Sequence, residues 1–113
     1  MIAVIFEVVP ANTDAYLARA AALKPELERV GGFVSIERFR SLSDPDRILS
    51  LSFFRDEAAV AAWRNTPHHR EAQEAGRGGV LADYRLRVAE IVRDYGMIDR
   101  AEAPADSRAV HDR

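Results

Sequence analysis

The chain has 113 residues, 48% hydrophobic and 30% charged, with a formal net charge of −2 and no cysteine. That length makes one domain, able to bury roughly two thirds of the surface its unfolded chain exposes. The absence of cysteine excludes disulfides, thiolate nucleophiles and Cys-ligated metal or iron–sulfur centres, and a weakly acidic balance without a basic stripe argues against nucleic acid or an anionic membrane as partner.

Ile2–Val9 reads IAVIFEVV, an apolar run ended by Pro10. It lacks the charged leading segment and cleavage site of a signal peptide and is too short to span a bilayer, so it is expected to be the first strand of a cytoplasmic protein. Ile2, Val4, Phe6 and Val8 fall on one face, and Ala3, Ile5, Glu7 and Val9 on the other. Only Glu7 breaks the apolar character of the two faces, so both call for a cover. Asn12 or Thr13 caps a helix with Tyr16, Leu17, Ala20, Leu23 and Leu27 along one stripe. Pro25 interrupts it, either as a kink or as the first residue of a new turn. Gly31-Gly32 supplies the left-handed geometry of a helix stop.

Phe33–Leu42 and Arg47–Phe54 read as a second and a third strand. The Ser43-Asp44-Pro45-Asp46 loop between them makes an antiparallel hairpin. Asp56 caps an alanine-rich helix, Glu57–Arg64, which carries the single tryptophan, Trp63. Thr66-Pro67 opens a fresh helical turn to about Ala75, stopped by Gly76 and Gly78-Gly79. Val80–Tyr95 alternates as a long fourth strand, with Val80, Ala82, Tyr84, Leu86 and Val88 on one side and Asp83, Arg85 and Arg87 on the other. Residues 97–113 form a polar C-terminal tail that composition alone leaves disordered, so the domain is placed at 1–96.

Strand, helix, strand, strand, helix, strand is the order of a ferredoxin-like α+β fold with a four-stranded antiparallel sheet. Helices on one face leave the other bare, and two such sheets face to face in a homodimer would cover it.

Several residues invite a chemical reading beside a packing one. Trp63 on an apolar helix face serves either the core or a pocket wall. His68 and His69 are adjacent and cannot face one way on a helix, which argues against a paired metal site. His69, Ala72, Gln73 and Gly76 share a stripe, and an imidazole suits proton transfer near neutral pH. Glu7 either pairs with Arg38, Arg85 or Arg87 or acts as a base with a raised pKa. His111 lies in the tail and is given no role.

At ERFRSL, RILSLSFFRDEAAVAAWR, HREAQEAGR and DYRLRVAEIVRDYG the chain resembles the antibiotic biosynthesis monooxygenase (ABM) domain family. The resemblance covers roughly residues 2–96 and implies a dimeric α+β barrel with a cavity between each sheet and its helices. Family members include cofactor-free oxygenases of aromatic polyketides and haem-degrading oxygenases. The haem-degrading branch uses a first-strand asparagine, a second-helix tryptophan and an iron-ligating histidine ten positions later. Trp63 matches, but Gln73 stands at the tenth position and Glu7 on the first strand. His69, six positions on, is expected to be turned away by the helical register. The resemblance therefore implies a monooxygenase without metal or cofactor, acting on a small aromatic or quinol-type compound. His69 and Glu7 are its candidate catalytic residues, and Trp63, Gln73, Tyr84 and Arg85 its candidate substrate-binding ones. The alternative is a non-catalytic dimeric module that binds a small molecule, with haem degradation the weakest reading.

Overall fold

Runs of β-branched and aromatic residues in a two-residue alternation build the strands, and alanine-rich stretches with side-chain caps build the helices. The structure, a computed structural model, describes residues 1–75 and 79–111. The expected stop at Gly76 and Gly78 and the side chain of His68 lie outside the described residues. The order is β1 (Ile2–Pro10), α1 (Thr13–Glu28), β2 (Phe33–Arg40), β3 (Ile48–Phe54), α2 (Glu57–Arg64), α3 (Pro67–Ala75), β4 (Leu81–Glu90) and α4 (Ala105–His111). The strands form one sheet in the order β2-β3-β1-β4, with every neighbouring pair antiparallel. This is the ferredoxin-like α+β arrangement.

Caps set the helix starts. Asn12 accepts from the Ala15 amide and Asp56 from the Ala59 amide, both at 2.9 Å. Helix α1 runs on past Pro25 to Glu28, so the proline neither ends it nor begins a separate turn. Tyr16, Ala20 and Leu27 are buried, whereas Leu17 is 39% exposed. One residue is 100° of helix, enough to take Leu17 off the stripe expected for it.

Two clusters make the core between sheet and helices. Ile2, Leu27, Phe54, Ala59 and Val60 form one, with Val4, Phe33, Ile36 and Trp63 packed on it. Val8, Tyr16 and Ile48 form the other, with Phe6 and Leu81 against it. Phe54 has no exposed surface; burial of a side chain of that kind contributes about 1.5–3 kcal/mol. Helices α1, α2 and α3 all line the face that carries Val4, Phe6 and Ser50. On the far face Ile5, Val9, Leu49, Leu51 and Phe53 stay half-buried and Phe39 is 45% exposed.

Two strands end earlier than their sequence pattern suggests. β2 stops at Arg40, and Leu42 beyond it is fully exposed. β4 stops at Glu90, not Tyr95, because its one neighbour is β1 and Glu90 already pairs with Ile2. The Ile91 amide reaches the Met1 carbonyl at 2.9 Å, and beyond it the sheet has no partner for residues 92–95. The register also shifts between Val9 and Pro10, a β-bulge at a residue that has no amide to donate. The polar tail contains α4 and is organised around Arg100. Its guanidinium lies 5.2 Å from the centroid of the Tyr95 ring and donates to Ser107 Oγ at 2.8 Å.

Gly32 joins the first helix to the sheet with φ at +90°, and a Cβ there would sit 2.8 Å from the Ala59 Cβ. Its carbonyl accepts from the Arg55 amide at 2.7 Å, so the backbone cannot move aside freely. Gly32→Ala should therefore cost about 2 kcal/mol or more, against little change for Gly31→Ala, where a Cβ meets nothing within 4 Å. Urea unfolding of the two variants measures the difference.

Candidate functional site

Side chains that leave the sheet on its helix side enclose, with the helices, a cavity of about 450 Å³. β1 contributes Val4 and Phe6, β2 Ile36 and Arg38, and β3 Ser50 and Ser52. α1 supplies Tyr16, Ala20, Leu23 and Leu27, with Arg19 and Lys24 toward the rim. α2 brings Val60, Trp63 and Arg64, and α3 brings His69, Ala72 and Gln73. Val80, Leu81, Tyr84, Leu86 and Val88 complete the wall. The bulge at Pro10 is why Leu81 takes the place that strict alternation assigned to Ala82. Tyr84 is held edge-on to Phe6 with ring centroids 5.6 Å apart.

The centre of the site is the contact between Trp63 and His69, whose ring centroids are 4.5 Å apart and tilted by 47°. A continuous helix would turn a residue six positions on to another side. Here α2 ends first: the Asn65 side-chain amide donates to the Ala61 carbonyl at 2.8 Å and the Thr66 hydroxyl to the Trp63 carbonyl at 2.9 Å. The Ala61 carbonyl also keeps its helical bond from the Asn65 amide at 3.1 Å, whereas the Trp63 carbonyl faces Pro67, which has no N–H to continue the helix, and is taken by Thr66 instead. The Thr66 hydroxyl thus closes α2, while the Thr66 carbonyl accepts from the Arg70 amide at 3.0 Å to start α3. The chain folds back and lays His69 on Trp63, correcting the expectation that His69 points elsewhere. Arg70 donates to Gln73 Oε1 at 3.1 Å and also bonds Asn65 Oδ1, which ties α3 to the end of α2.

Three buried polar atoms in this region have no hydrogen-bond partner among the described residues: Tyr16 Oη, Arg38 Nε and His69 Nδ1. All three residues line the cavity. Burial lowers the pKa of His69 below its ordinary 6.5, the neighbouring Arg70 and Arg64 lower it further, and Glu26 opposes them. The imidazole is therefore neutral at neutral pH and free to accept a proton.

Of the six residues singled out from the sequence, Trp63, His69, Gln73 and Tyr84 come together in this wall. Glu7 and Arg85 do not. They are register partners on β1 and β4 whose side chains leave the opposite face of the sheet, and Glu7 is bonded to Arg87 at 3.3 Å. An ion pair accounts for Glu7, and Arg85 cannot reach a ligand in this cavity. Tyr16 and Arg38 were missed as site residues. Arg38 carries its signal in alternation, sharing a face with Ile36, whereas Tyr16 reads as one more apolar position on the first helix. Among the described residues no cluster of three or more histidine or acidic side chains could hold a metal ion, and no helix is long and apolar enough to cross a membrane.

A ferredoxin-like sheet with α1, α2 and α3 over one face and an apolar cavity beneath them makes this a small α+β domain with room for a small molecule. The chain belongs to the antibiotic biosynthesis monooxygenase family, whose model matches residues 1–75. A protein from Pyricularia oryzae named jasmonate monooxygenase ABM is 52% identical over 93 residues, covering 80% of this chain and 43% of that protein. The chain thus spans less than half the length of that relative. Among solved structures, Rv0793 from Mycobacterium tuberculosis superposes with a TM-score of 0.73 at 17% identity, covering 84% of this chain and 98% of that one. Protein SO0527 from Shewanella oneidensis gives 0.71 at 19% identity, with 78% and 87% covered. At such identities the likeness is one of fold.

The lowered pKa of His69 has a consequence for stability. As pH falls through the ordinary imidazole range, the unfolded chain takes up a proton at His69 that the native chain does not, so stability falls with pH until the native histidine also titrates. His69→Phe, which keeps a ring against Trp63, should make the stability difference between about pH 7 and pH 5 smaller than in the native chain. Urea denaturation at the two pH values checks it.

Proposed function

We propose that this chain is a monooxygenase that works without metal or flavin, binding a small aromatic or quinol-type compound in the cavity. The contact of a buried, neutral imidazole with the only tryptophan carries the reading. It is supported by family membership and by the name of the Pyricularia oryzae relative. The ring of the substrate lies against Trp63, Tyr84 and Gln73 hold its oxygens, and His69 takes the phenolic proton. The resulting anion is rich enough in electrons to reduce oxygen directly. One oxygen atom bonds to the reacting ring carbon, the second leaves as water with two substrate hydrogens, and the four electrons come from the substrate itself. No external reductant is needed. The apolar wall keeps bulk water from the anion.

Glu7 and Arg85 have no part in this scheme. The apolar residues of the open sheet face, Ile5, Leu49, Leu51, Phe53 and Phe39, support a cytoplasmic homodimer in which two sheets cover each other.

Oxygen consumption by the metal-free protein, screened against naphthols, anthrols and quinols, tests the proposal. Uptake should exceed autoxidation, and His69→Ala should lower the rate by about 100-fold, the contribution typical of a general base. Trp63→Phe should raise KM more than it lowers kcat. Binding without any uptake would replace the oxygenase with a non-catalytic small-molecule-binding module. A Soret shift on titration with haem would instead restore the haem-degrading branch.

A further inference from the structure

The cavity is apolar in its body but one-sided in charge. Among the described residues its lining includes the cationic side chains Arg19, Lys24, Arg38 and Arg64, and no aspartate or glutamate. Lys24 has a partner outside the lining, Glu28 at 4.0 Å along α1. Glu26, the acid that acts on His69, is not in the lining either. Arg38 differs from the other cations in its place. It leaves the helix side of the edge strand β2 beside Ile36 and opposite Ser50, it is half-buried, and its Nε is buried without a hydrogen-bond partner. It forms no ion pair with any described residue. A guanidinium N–H shut away from water without an acceptor is destabilising, and the oxygen of an anion is the acceptor that suits it best. Nothing in this protein's described residues compensates Arg38, while Tyr16 Oη and His69 Nδ1 stand unpaired in the same cavity.

We infer that the ligand of this cavity is an apolar molecule bearing a carboxylate, which Arg38 binds by charge-assisted hydrogen bonds with Tyr16 donating a further one. The inference rests on the cavity being the substrate site proposed above and adds a chemical class to it: the compound that is oxygenated carries an acid group apart from its reacting ring. A carboxylate suits the three observations together. It supplies the missing counter-charge, it accepts from the planar fork of an arginine, and its remaining lone pairs accept from a phenol. The exposed cations at the rim, Arg19 and Arg64, favour entry of an anion from solvent. The apolar remainder of the molecule fits the wall made by Val4, Phe6, Val60 and Trp63.

The test is calorimetric titration of the whole chain with 2-naphthylacetic acid and with its methyl ester. The two share a shape, and neither is a phenol, so binding is read without turnover. The acid should bind about tenfold or more tightly than the ester. Arg38→Gln should abolish that preference while leaving ester affinity within about twofold, and Arg38→Lys should retain part of it. Tyr16→Phe should reduce it less. Equal affinity of acid and ester for the native chain, or no binding of the acid at millimolar concentration, would overturn the inference even if Arg38→Gln fails to fold. A preference that survives intact in a folded Arg38→Gln would overturn it as well. Oxygen uptake is measured separately on naphthols with and without an acid group. Its absence on both sinks the oxygenase reading and leaves the acid-over-ester preference to be judged alone.

Discussion

Successive side chains along a strand leave opposite faces of the sheet, and in this protein α1, α2 and α3 all lie over the same one. That constraint assigns every strand residue to a cavity or to an open surface. Arg38 and Arg85 show its force. Both sit on strands and both have apolar neighbours in sequence, yet Arg38 enters the cavity with Ser50 opposite it, and Arg85 leaves the far side opposite Glu7. A slip of one residue in either pairing would exchange the two faces and remove the guanidinium from the site. The register of β1 against both its neighbours, held by seven paired positions with β3 and nine with β4, is what fixes the chemistry of the wall.

The second determinant is the break between α2 and α3. Pro67 has no amide for the Trp63 carbonyl, which the Thr66 hydroxyl takes instead, and the Asn65 side chain adds a second bond to the Ala61 carbonyl. Pro67 then begins a new helix in a new direction, and the imidazole of His69 comes to rest on Trp63. Trp63 therefore serves two ends: its ring packs on the cluster around Phe54 and also borders the cavity. Packing and pocket lining are one surface seen from two sides, so stability and ligand binding are coupled there.

The far face of the sheet poses the remaining physical question. Its apolar residues run along β3 and along β1, where Glu7 interrupts them, and are bordered by Phe39 on β2. A surface of that kind favours association. The pairing of Glu7 with Arg87 lies on the same face and keeps its charges satisfied within the protomer. The helix-side residues of β4, with Leu86 53% and Val88 47% exposed, leave the cavity open along one edge.

The sequence by itself determined the elements, their order and the fold, because periodicity, capping residues and turn residues act within a few positions of one another. Asp56, Pro67 and the alanines of the second helix stand where their local chemistry puts them. The tryptophan, the histidine and the tyrosine of the wall were legible as residues of the right kind. Only the tertiary structure decided which of them meet. Alternation divides a strand into two faces without naming the one the helices cover, so Glu7 and Arg85 could not be told from Arg38 in advance. A helical register extrapolated through Asn65 turns His69 away, and the hydrogen bonds that end α2 were needed to bring it back. The far end of β4 likewise depends on where β1 begins, since Glu90 pairs with Ile2 almost the whole domain away in the chain, and no local pattern carries that information.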